Sequence, residues 1–257
     1  METRTAEWVV AGRRLSAVAG SVVGNRYRAN FDVLHLDDEI PLAVVADGMG
    51  DGPGSTAAGR TAVETFVREA SGDTPAVLRN AVAEVQKAVR EAGRRIPDLT
   101  GCTLAALVAD SGRGMTTTGR VVDEAAAWIV QLGDSRVYRM RAGCFELLTT
   151  DHTAAWLGVL NGWYAPGSRE AYRDRHRLTR YAGHPAMPEP DLLNISLRPE
   201  DLLLICTDGV SDQVDDRALE QLLTGEPDPA GAVERLLTLT LDKGGDDNAT
   251  AVIIAVR

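Results

Sequence analysis

Five aspartates in short runs of this 257-residue chain have the types and spacing to do chemistry together: Asp32, Asp47, Asp134, Asp208 and Asp247. Most stand beside apolar, strand-like residues and next to Gly or Asn, as in residues 44–48 and 203–209. A strand that runs into such a turn delivers its carboxylate to a sheet edge, although a single Asp-Gly pair is usually an ordinary turn. The repetition of the pattern far apart in the chain predicts a metal site at one rim.

The donor atoms in these runs are those that hard cations prefer. Carboxylate and carbonyl oxygens without a convergent set of His or Cys favour Mg²⁺ or Mn²⁺ over softer metals. Cys102, Cys144 and Cys206 are widely spaced, and none belongs to a Cys-x-x-Cys pair or begins a Cys-x5-Arg sequence. We therefore expect buried free thiols, and we disfavour both zinc binding and cysteine-based phosphate chemistry.

Composition excludes several classes of function. The net charge of −10 and the isoelectric point near 4.9 argue against a nucleic-acid-binding protein, whose surface would carry a basic stripe. No apolar run approaches the length of a membrane span, and the apolar stretch at residues 8–11 is too short for the core of a secretory signal. The composition predicts a soluble, cytoplasmic protein with one domain over residues 1–257.

The acidic turns must be positioned by a mixture of strands and helices. Alternating apolar residues predict strands over 15–19, 33–35, 40–46, 103–109, 124–132, 136–142, 144–148, 191–196, 201–206 and 249–256. Helical periodicity predicts helices over 56–70, 74–95, 215–223 and 230–241. Two antiparallel sheets with helices on both outer sides would use all of these elements. The predicted fold class is α+β, a four-layer α-β-β-α sandwich.

The segment over about 153–190 differs from its surroundings because it concentrates aromatic residues and five arginines. Three of these arginines, Arg173, Arg175 and Arg177, lie close together and are predicted to bind substrate. One interpretation is a flap that faces the substrate beside the metal rim. The other is a surface helix pair whose aromatic residues only anchor it to the domain.

Seven motifs along nearly the whole chain resemble those of one known family, in the order in which that family has them. They are Asn30-Phe31-Asp32, Asp47-Gly48-Met49-Gly50, Gly101-Cys102-Thr103, Gly133-Asp134-Ser135-Arg136, Asp151-His152, Thr207-Asp208-Gly209-Val210-Ser211-Asp212 and Gly245-Asp246-Asp247-Asn248-Ala249-Thr250. The chain is similar to the metal-dependent serine/threonine protein phosphatases of the PPM or type 2C family, in its bacterial form. The resemblance implies a central sandwich of two antiparallel sheets flanked by helix pairs.

The resemblance also implies a ligand set and a reaction. Asp47 would bridge two Mn²⁺ or Mg²⁺ ions, the Gly48 carbonyl would bind one of them, and Asp208 and Asp247 would hold the other. Asp134 would help Asp208 to bind a weaker third ion. A water molecule bridging the two ions would attack phosphoserine or phosphothreonine directly, without a phosphoenzyme. The implied partners are phosphorylated proteins, the targets of Ser/Thr kinases in signal transduction.

The first motif departs from the family pattern. Residues 28–32 read Arg-Ala-Asn-Phe-Asp, one residue shorter than usual and with Phe31 in an acidic position, which weakens the surroundings of one ion. Arg28 is the predicted phosphate-binding and catalytic arginine, with Arg26 as the alternative, because a guanidinium matches phosphate oxygens. Met49 stands where some members have a histidine, so the general acid stays open.

The altered first motif leaves two classes of function in competition. The leading hypothesis is an active phosphatase, whose target could be narrowed to a regulatory phosphoprotein such as an anti-sigma antagonist. The rival is a catalytically weak or inactive pseudophosphatase that binds phosphoproteins through the same groove. Retention of the aspartates favours the enzyme, and hydrolysis of p-nitrophenyl phosphate that depends on Mn²⁺ would discriminate between the two.

Overall fold

The computed structural model describes residues 2–72, 74–109, 114–115, 121–122, 125–226 and 228–257. Its strands are β1 (Glu2–Val10), β2 (Arg13–Val22), β3 (Asp32–Leu36), β4 (Leu42–Asp47), β5 (Leu104–Ala109), β6 (Gly114–Met115), β7 (Val121–Val122), β8 (Ala126–Leu132), β9 (Arg136–Arg141), β10 (Cys144–Leu147), β11 (Asp191–Ser196), β12 (Leu202–Cys206) and β13 (Ala249–Val256). Its helices are α1 (Pro53–Glu69), α2 (Pro75–Gly93), α3 (Ala154–Leu160), α4 (Arg169–Asp174), α5 (Asp208–Ser211), α6 (Asp216–Gly225) and α7 (Pro229–Asp242).

Two antiparallel sheets form the centre of the molecule. The six-stranded sheet has the order β1-β2-β13-β12-β9-β10, and the five-stranded sheet has the order β11-β8-β5-β4-β3. The short strands β6 and β7 pair only with each other among the described residues. Helices α1 and α2 cover the five-stranded sheet, and α6 and α7 cover the six-stranded sheet. The predicted four-layer α-β-β-α sandwich is therefore confirmed.

Alternate side chains of strand β4 pack into two different cores. Ala43 and Val45 point into the core between the sheets, whereas Leu42, Val44 and Ala46 pack against the layer of α1 and α2. Because successive side chains of a strand face opposite sides, a strand that is buried on both faces is apolar throughout. Each such buried Val or Leu contributes roughly 1.5–3 kcal/mol, and this packing fixes the strand whose last residue is an aspartate.

The first strand is the main element that the sequence patterns missed. In β1 the buried residues Ala6, Trp8 and Val10 alternate with exposed residues, and the strand pairs in register with β2, which is longer than predicted. The apolar stretch at residues 8–11 is short because only one face of this edge strand is buried. Residue 124, at the start of one predicted strand, lies outside the described residues. Among the described residues, no helix has both the length and the apolar character needed to cross a membrane.

Candidate metal centre and catalytic cleft

All five residues predicted as metal ligands line one cleft of about 650 Å³. They are Asp47, Gly48, Asp134, Asp208 and Asp247. Four different chain segments bring them there: the end of β4, the β8–β9 turn, the residues that follow β12 and the residues that precede β13. The sandwich therefore gathers carboxylates that lie up to 200 positions apart in sequence, with Asp47 and Asp247 as the extremes.

Glycines allow these segments to approach each other. A Cβ atom on Gly48 would lie 2.6 Å from the Ser55 carbonyl oxygen and 2.9 Å from that of Phe31. A side chain on Gly209 would overlap the backbone at Asn248, which joins the Asp208 and Asp247 segments. The Asp-Gly pairs are thus required by the close packing of backbones as well as by turn geometry.

Asp47 and Asp208 are buried carboxyls that interact with each other in the cleft. Burial, together with the charge of Asp208, raises the pKa of Asp47 well above its usual range. Burial also acts to raise the pKa of Asp208, but its interactions with His176 and Asp47 outweigh this effect and hold the pKa below the usual value. Two carboxylates in contact cannot both ionise without a compensating charge.

The pKa values of Asp247 and Asp134 are raised for the same two reasons, burial and a nearby negative charge. Burial and the charge of Asp208 raise the pKa of Asp247 to about 6, with Arg26 opposing the effect. Burial and Asp208 also raise the pKa of Asp134 well above its usual range. The buried Oδ1 atom of Asp208 has no hydrogen-bond partner among the described residues. Clustered oxygen donors with one buried oxygen left unpaired fit a divalent cation well.

Asp32 lies behind this cluster, paired in register with Asp47 across β3 and β4. Its Oδ2 accepts hydrogen bonds from the hydroxyls of Thr250 at 2.7 Å and Thr207 at 2.9 Å. Burial raises its pKa to about 7 despite these hydrogen bonds, and the charges of Asp208 and Asp247 act in the same direction. Asp32 is therefore held in one orientation, with its second oxygen left for other partners.

The raised pKa of Asp32 predicts how the stability of the metal-free protein depends on pH. The folded state holds this proton more tightly than the unfolded state, whose pKa is near 3.8, so the stabilisation is complete below about pH 4 and is lost as pH rises through about 7. The melting temperature in chelator should fall between about pH 5 and about pH 8, and it should fall less in Asp32→Asn. An equal fall in both proteins, measured by thermal unfolding, would contradict the assignment.

The turn that carries Asp134 is tied to the strand that carries Asp47. The Thr103 hydroxyl accepts from the Asp47 backbone N–H at 2.9 Å and lies 2.7 Å from the Ser135 hydroxyl. Gly133 has φ of +112°, and a Cβ atom there would lie 2.7 Å from that of Thr103. This turn therefore requires glycine, and its contact with Thr103 fixes the separation of the two aspartates.

The structure separates the two candidate phosphate-binding arginines. Both arginines are exposed, but only Arg26 is one of the residues that line the cleft. Residues 23–31 form an irregular loop, and the Asn25 N–H bonds the Gly245 carbonyl at 2.6 Å, which brings Arg26 towards Asp247. Spacing from Asp32 could not predict side-chain direction in such a loop. The geometry favours Arg26, the alternative, over Arg28.

Phe31 occupies the position where an acidic residue was expected. Its ring also lines the cleft and packs edge-on against Tyr27, with centroids 5.9 Å apart. Its backbone N–H donates to Asn248 Oδ1 at 2.8 Å, and Asn248 Nδ2 donates to the Ala29 carbonyl. The backbone of the first motif is thus held beside Asp247 although the acidic side chain is absent.

The segment over about 153–190, called the flap below, contributes Arg175, His176 and Leu178 to the lining of the cleft. Arg175 Nε lies 3.2 Å from Asp212 Oδ2, and its guanidinium stacks 3.7 Å from the centroid of the Tyr172 ring. His176 lies 3.7 Å from Asp208 and 3.6 Å from Asp212. Sequence reasoning did not select Asp212 or His176 as site residues. The i, i+4 spacing of Asp208 and Asp212 around α5 is the signal that would have identified Asp212.

Arg173 and Arg177, unlike Arg175, lie outside the cleft lining and pair with Asp174. Both bind Asp174 Oδ1, at 3.2 and 3.4 Å, and the buried Asp174 also accepts from the Tyr164 hydroxyl at 2.7 Å. Neither arginine is among the residues that line the cleft. Of the three flap arginines predicted to bind substrate, the structure brings only Arg175 to the cleft.

Comparison with known proteins gives a consistent family assignment. The model of the family "Protein phosphatase 2C" matches residues 29–238. A serine/threonine phosphatase, stp, from Listeria innocua is 25% identical over 232 residues, which cover 88% of each chain.

Two solved structures are similar over nearly the whole chain. The PPM Ser-Thr phosphatase MsPP from Mycobacterium smegmatis, in complex with cacodylate, is 33% identical with a TM-score of 0.78, and the match covers 93% of this chain and 97% of MsPP. The catalytic domain of the serine/threonine protein phosphatase PstP, in complex with two manganese ions, is 30% identical with a TM-score of 0.79. The match covers 95% of this chain and 99% of the PstP chain.

Proposed function

Because this chain belongs to the protein phosphatase 2C family, we propose that it is a metal-dependent hydrolase that removes phosphate from phosphoserine and phosphothreonine in proteins. The observation that carries the proposal is the group of carboxylates in one cleft, with pKa values displaced by burial and by one another. Its substrates would be phosphoproteins produced by Ser/Thr kinases, which would give the enzyme a role in signal transduction.

The cations would be Mn²⁺ or Mg²⁺, since every proposed ligand is an oxygen. Asp47 would contact two ions, with Gly48 O, Asp208 and Asp247 completing the protein ligands. Asp134 would hold a third ion together with Asp208. When bound, the ions supply an acidified water molecule as nucleophile and neutralise charge on the phosphoryl group. The manganese in the PstP structure supports this choice of cofactor.

The protein's own side chains would orient the reaction. Arg26 would bind two phosphate oxygens through its planar guanidinium. Asp32, fixed by Thr207 and Thr250, would accept a hydrogen bond on the side facing the cluster. Tyr27 and Phe31 give the cleft an apolar wall that excludes water from one side of the phosphate.

The experiment that tests this function is hydrolysis of p-nitrophenyl phosphate with and without Mn²⁺. Activity should be lost in chelator and restored by Mn²⁺. Thiol alkylation should not inhibit it, because Cys102 and Cys206 are buried and Cys144, which is exposed and not buried as expected, does not line the cleft. Phe31 in the cleft is the observation that favours the alternative, a pseudophosphatase that only binds phosphoproteins. Absence of turnover in folded, Mn²⁺-loaded protein would support that alternative.

Arg175 is the flap residue that we propose contacts the substrate. Arg175→Gln should raise KM for a phosphopeptide by up to about fivefold, because a partly exposed charge contributes roughly 0.2–1 kcal/mol. KM for p-nitrophenyl phosphate should change little, and the effect should shrink with salt because exposed charges are screened over about 8 Å at physiological ionic strength. Steady-state kinetics with both substrates measures the difference.

The matched control is Arg169→Gln, on α4 of the same flap but outside the cleft lining. It should leave both KM values unchanged. Arg173 and Arg177 should instead support the flap through Asp174, so their loss should lower flap stability. A larger effect on KM from Arg169→Gln than from Arg175→Gln would contradict the assignment.

A further inference from the structure

His152 makes two reciprocal contacts with the turn that carries Asp134. The Gly133 N–H donates to His152 Nδ1 at 3.1 Å, and the His152 backbone N–H donates to the Gly133 carbonyl at 3.0 Å. Gln131 Nε2 donates to the same carbonyl at 2.9 Å and also to the Thr150 carbonyl. The residue next to Asp134 is therefore held on its N–H and on its carbonyl by buried groups.

The other ring nitrogen of His152 connects this turn to the edge of the sheet. Nε2 lies 3.1 Å from Asp191 Oδ2, and Arg180, at the end of the flap, donates to Asp191 Oδ1 at 2.8 Å. Because Nδ1 accepts from Gly133, Nε2 must carry the proton and donate to Asp191. Burial lowers the pKa of His152, which favours the neutral imidazole that these two contacts require.

Asp134 depends on this support because it has no strand of its own. It lies between β8 and β9 in a turn that requires the positive φ of Gly133. Side chains that orient a metal ligand change metal affinity by about 10- to 100-fold when they are removed. His152 and Thr103 hold this turn through different hydrogen bonds. His152 accepts from the Gly133 N–H, whereas the Thr103 hydroxyl bonds the Ser135 hydroxyl.

We propose that His152 is a positioning residue that holds Asp134 ready for the weaker third cation, and that Asp191 fixes the tautomer in which it does so. This role rests on the proposed function, in which Asp134 and Asp208 share that cation. His152 is not among the residues that line the cleft, so it would act without touching substrate. Its contribution should therefore appear in the affinity of one ion and not in the binding of the other two.

Two substitutions separate the contacts of the imidazole. In His152→Asn the amide oxygen takes about the place of Nδ1 and can accept from Gly133. In His152→Gln the longer amide takes about the place of Nε2 and can donate to Asp191, but the Gly133 N–H loses its acceptor. Calorimetric titration with Mn²⁺ should show two tighter sites in wild type and both variants. The Kd of the weaker site should rise about 10- to 100-fold in His152→Gln and change little in His152→Asn.

Melting temperatures in chelator report the structural cost of each change. If His152→Gln does not fold, Asp191→Ala at the half-exposed sheet edge serves instead, and the Kd of its weaker site should rise because the tautomer is no longer fixed. Equal losses in the Asn and Gln variants, or an unchanged Kd in Asp191→Ala, would overturn the role of His152. Two tighter sites without a weaker one in wild type would also overturn it, whereas the absence of the tighter sites would contradict the proposed function itself.

Discussion

Asp208→Asn is expected to lower kcat for p-nitrophenyl phosphate by at least about 100-fold, because even groups that only orient metal ligands contribute about 10- to 100-fold. Asp208 is central to the cluster, because its charge acts to raise the pKa of Asp47, Asp134 and Asp247. Steady-state kinetics over a range of Mn²⁺ concentrations measures the loss.

The same substitution should not unfold the protein. An amide removes a charge that repels three neighbouring carboxyls, so the melting temperature in chelator should stay the same or rise. The stabilisation that Mn²⁺ gives to wild type should disappear. Asp246→Asn is the matched control, since Asp246 lines the cleft beside Asp247 but belongs to no proposed ligand set. Wild-type turnover by Asp208→Asn at low Mn²⁺ would show that the site is wrongly placed.

Arg26→Ala is expected to lower kcat/KM for p-nitrophenyl phosphate about 10- to 100-fold. A hydrogen bond to a charged group contributes about 1.5–3 kcal/mol, so the net loss of one such bond to the phosphate accounts for a change of this size. Because this substrate does not need the flap, the loss should be similar for aryl phosphate and phosphopeptide. Kinetics with both substrates at saturating Mn²⁺ measures it.

Arg28→Ala supplies the comparison, with the same residue type two positions along the same loop. Its kcat/KM should stay within about twofold of wild type, as is usual for surface substitutions. Arg26→Lys keeps the charge but not the paired geometry, so its loss should be intermediate. A large effect of Arg28→Ala with little effect of Arg26→Ala would return the phosphate-binding role to Arg28, the residue favoured by motif spacing.

The sequence was most informative where local geometry is regular. Asp47 and Asp208 follow apolar strands directly, so the strand pattern alone placed their carboxylates at a sheet edge. The two-sheet architecture followed from the same alternation. The sequence patterns did not predict the edge strand β1, because only one of its faces is buried and its apolar residues are few.

The remaining site residues depend on contacts between distant segments. Arg26 and Arg28 differ in direction because a loop anchored at Gly245 sets the backbone, and spacing carries no information about that anchor. Arg173 and Arg177 looked equivalent to Arg175 in composition, yet a buried Asp174 engages the first two. Pairing of this kind is a tertiary property, and a count of charges cannot reveal it.

The most direct test of the central claim is a crystal structure of the protein grown with Mn²⁺, with the ions located by their anomalous scattering. We expect two strong peaks in the cleft about 3.5–4 Å apart. Asp47 should contact both ions, and Asp208 and Asp247 should each contact one. An empty cleft at saturating Mn²⁺, or manganese bound only at His176 and Asp212 without Asp47, would contradict the account.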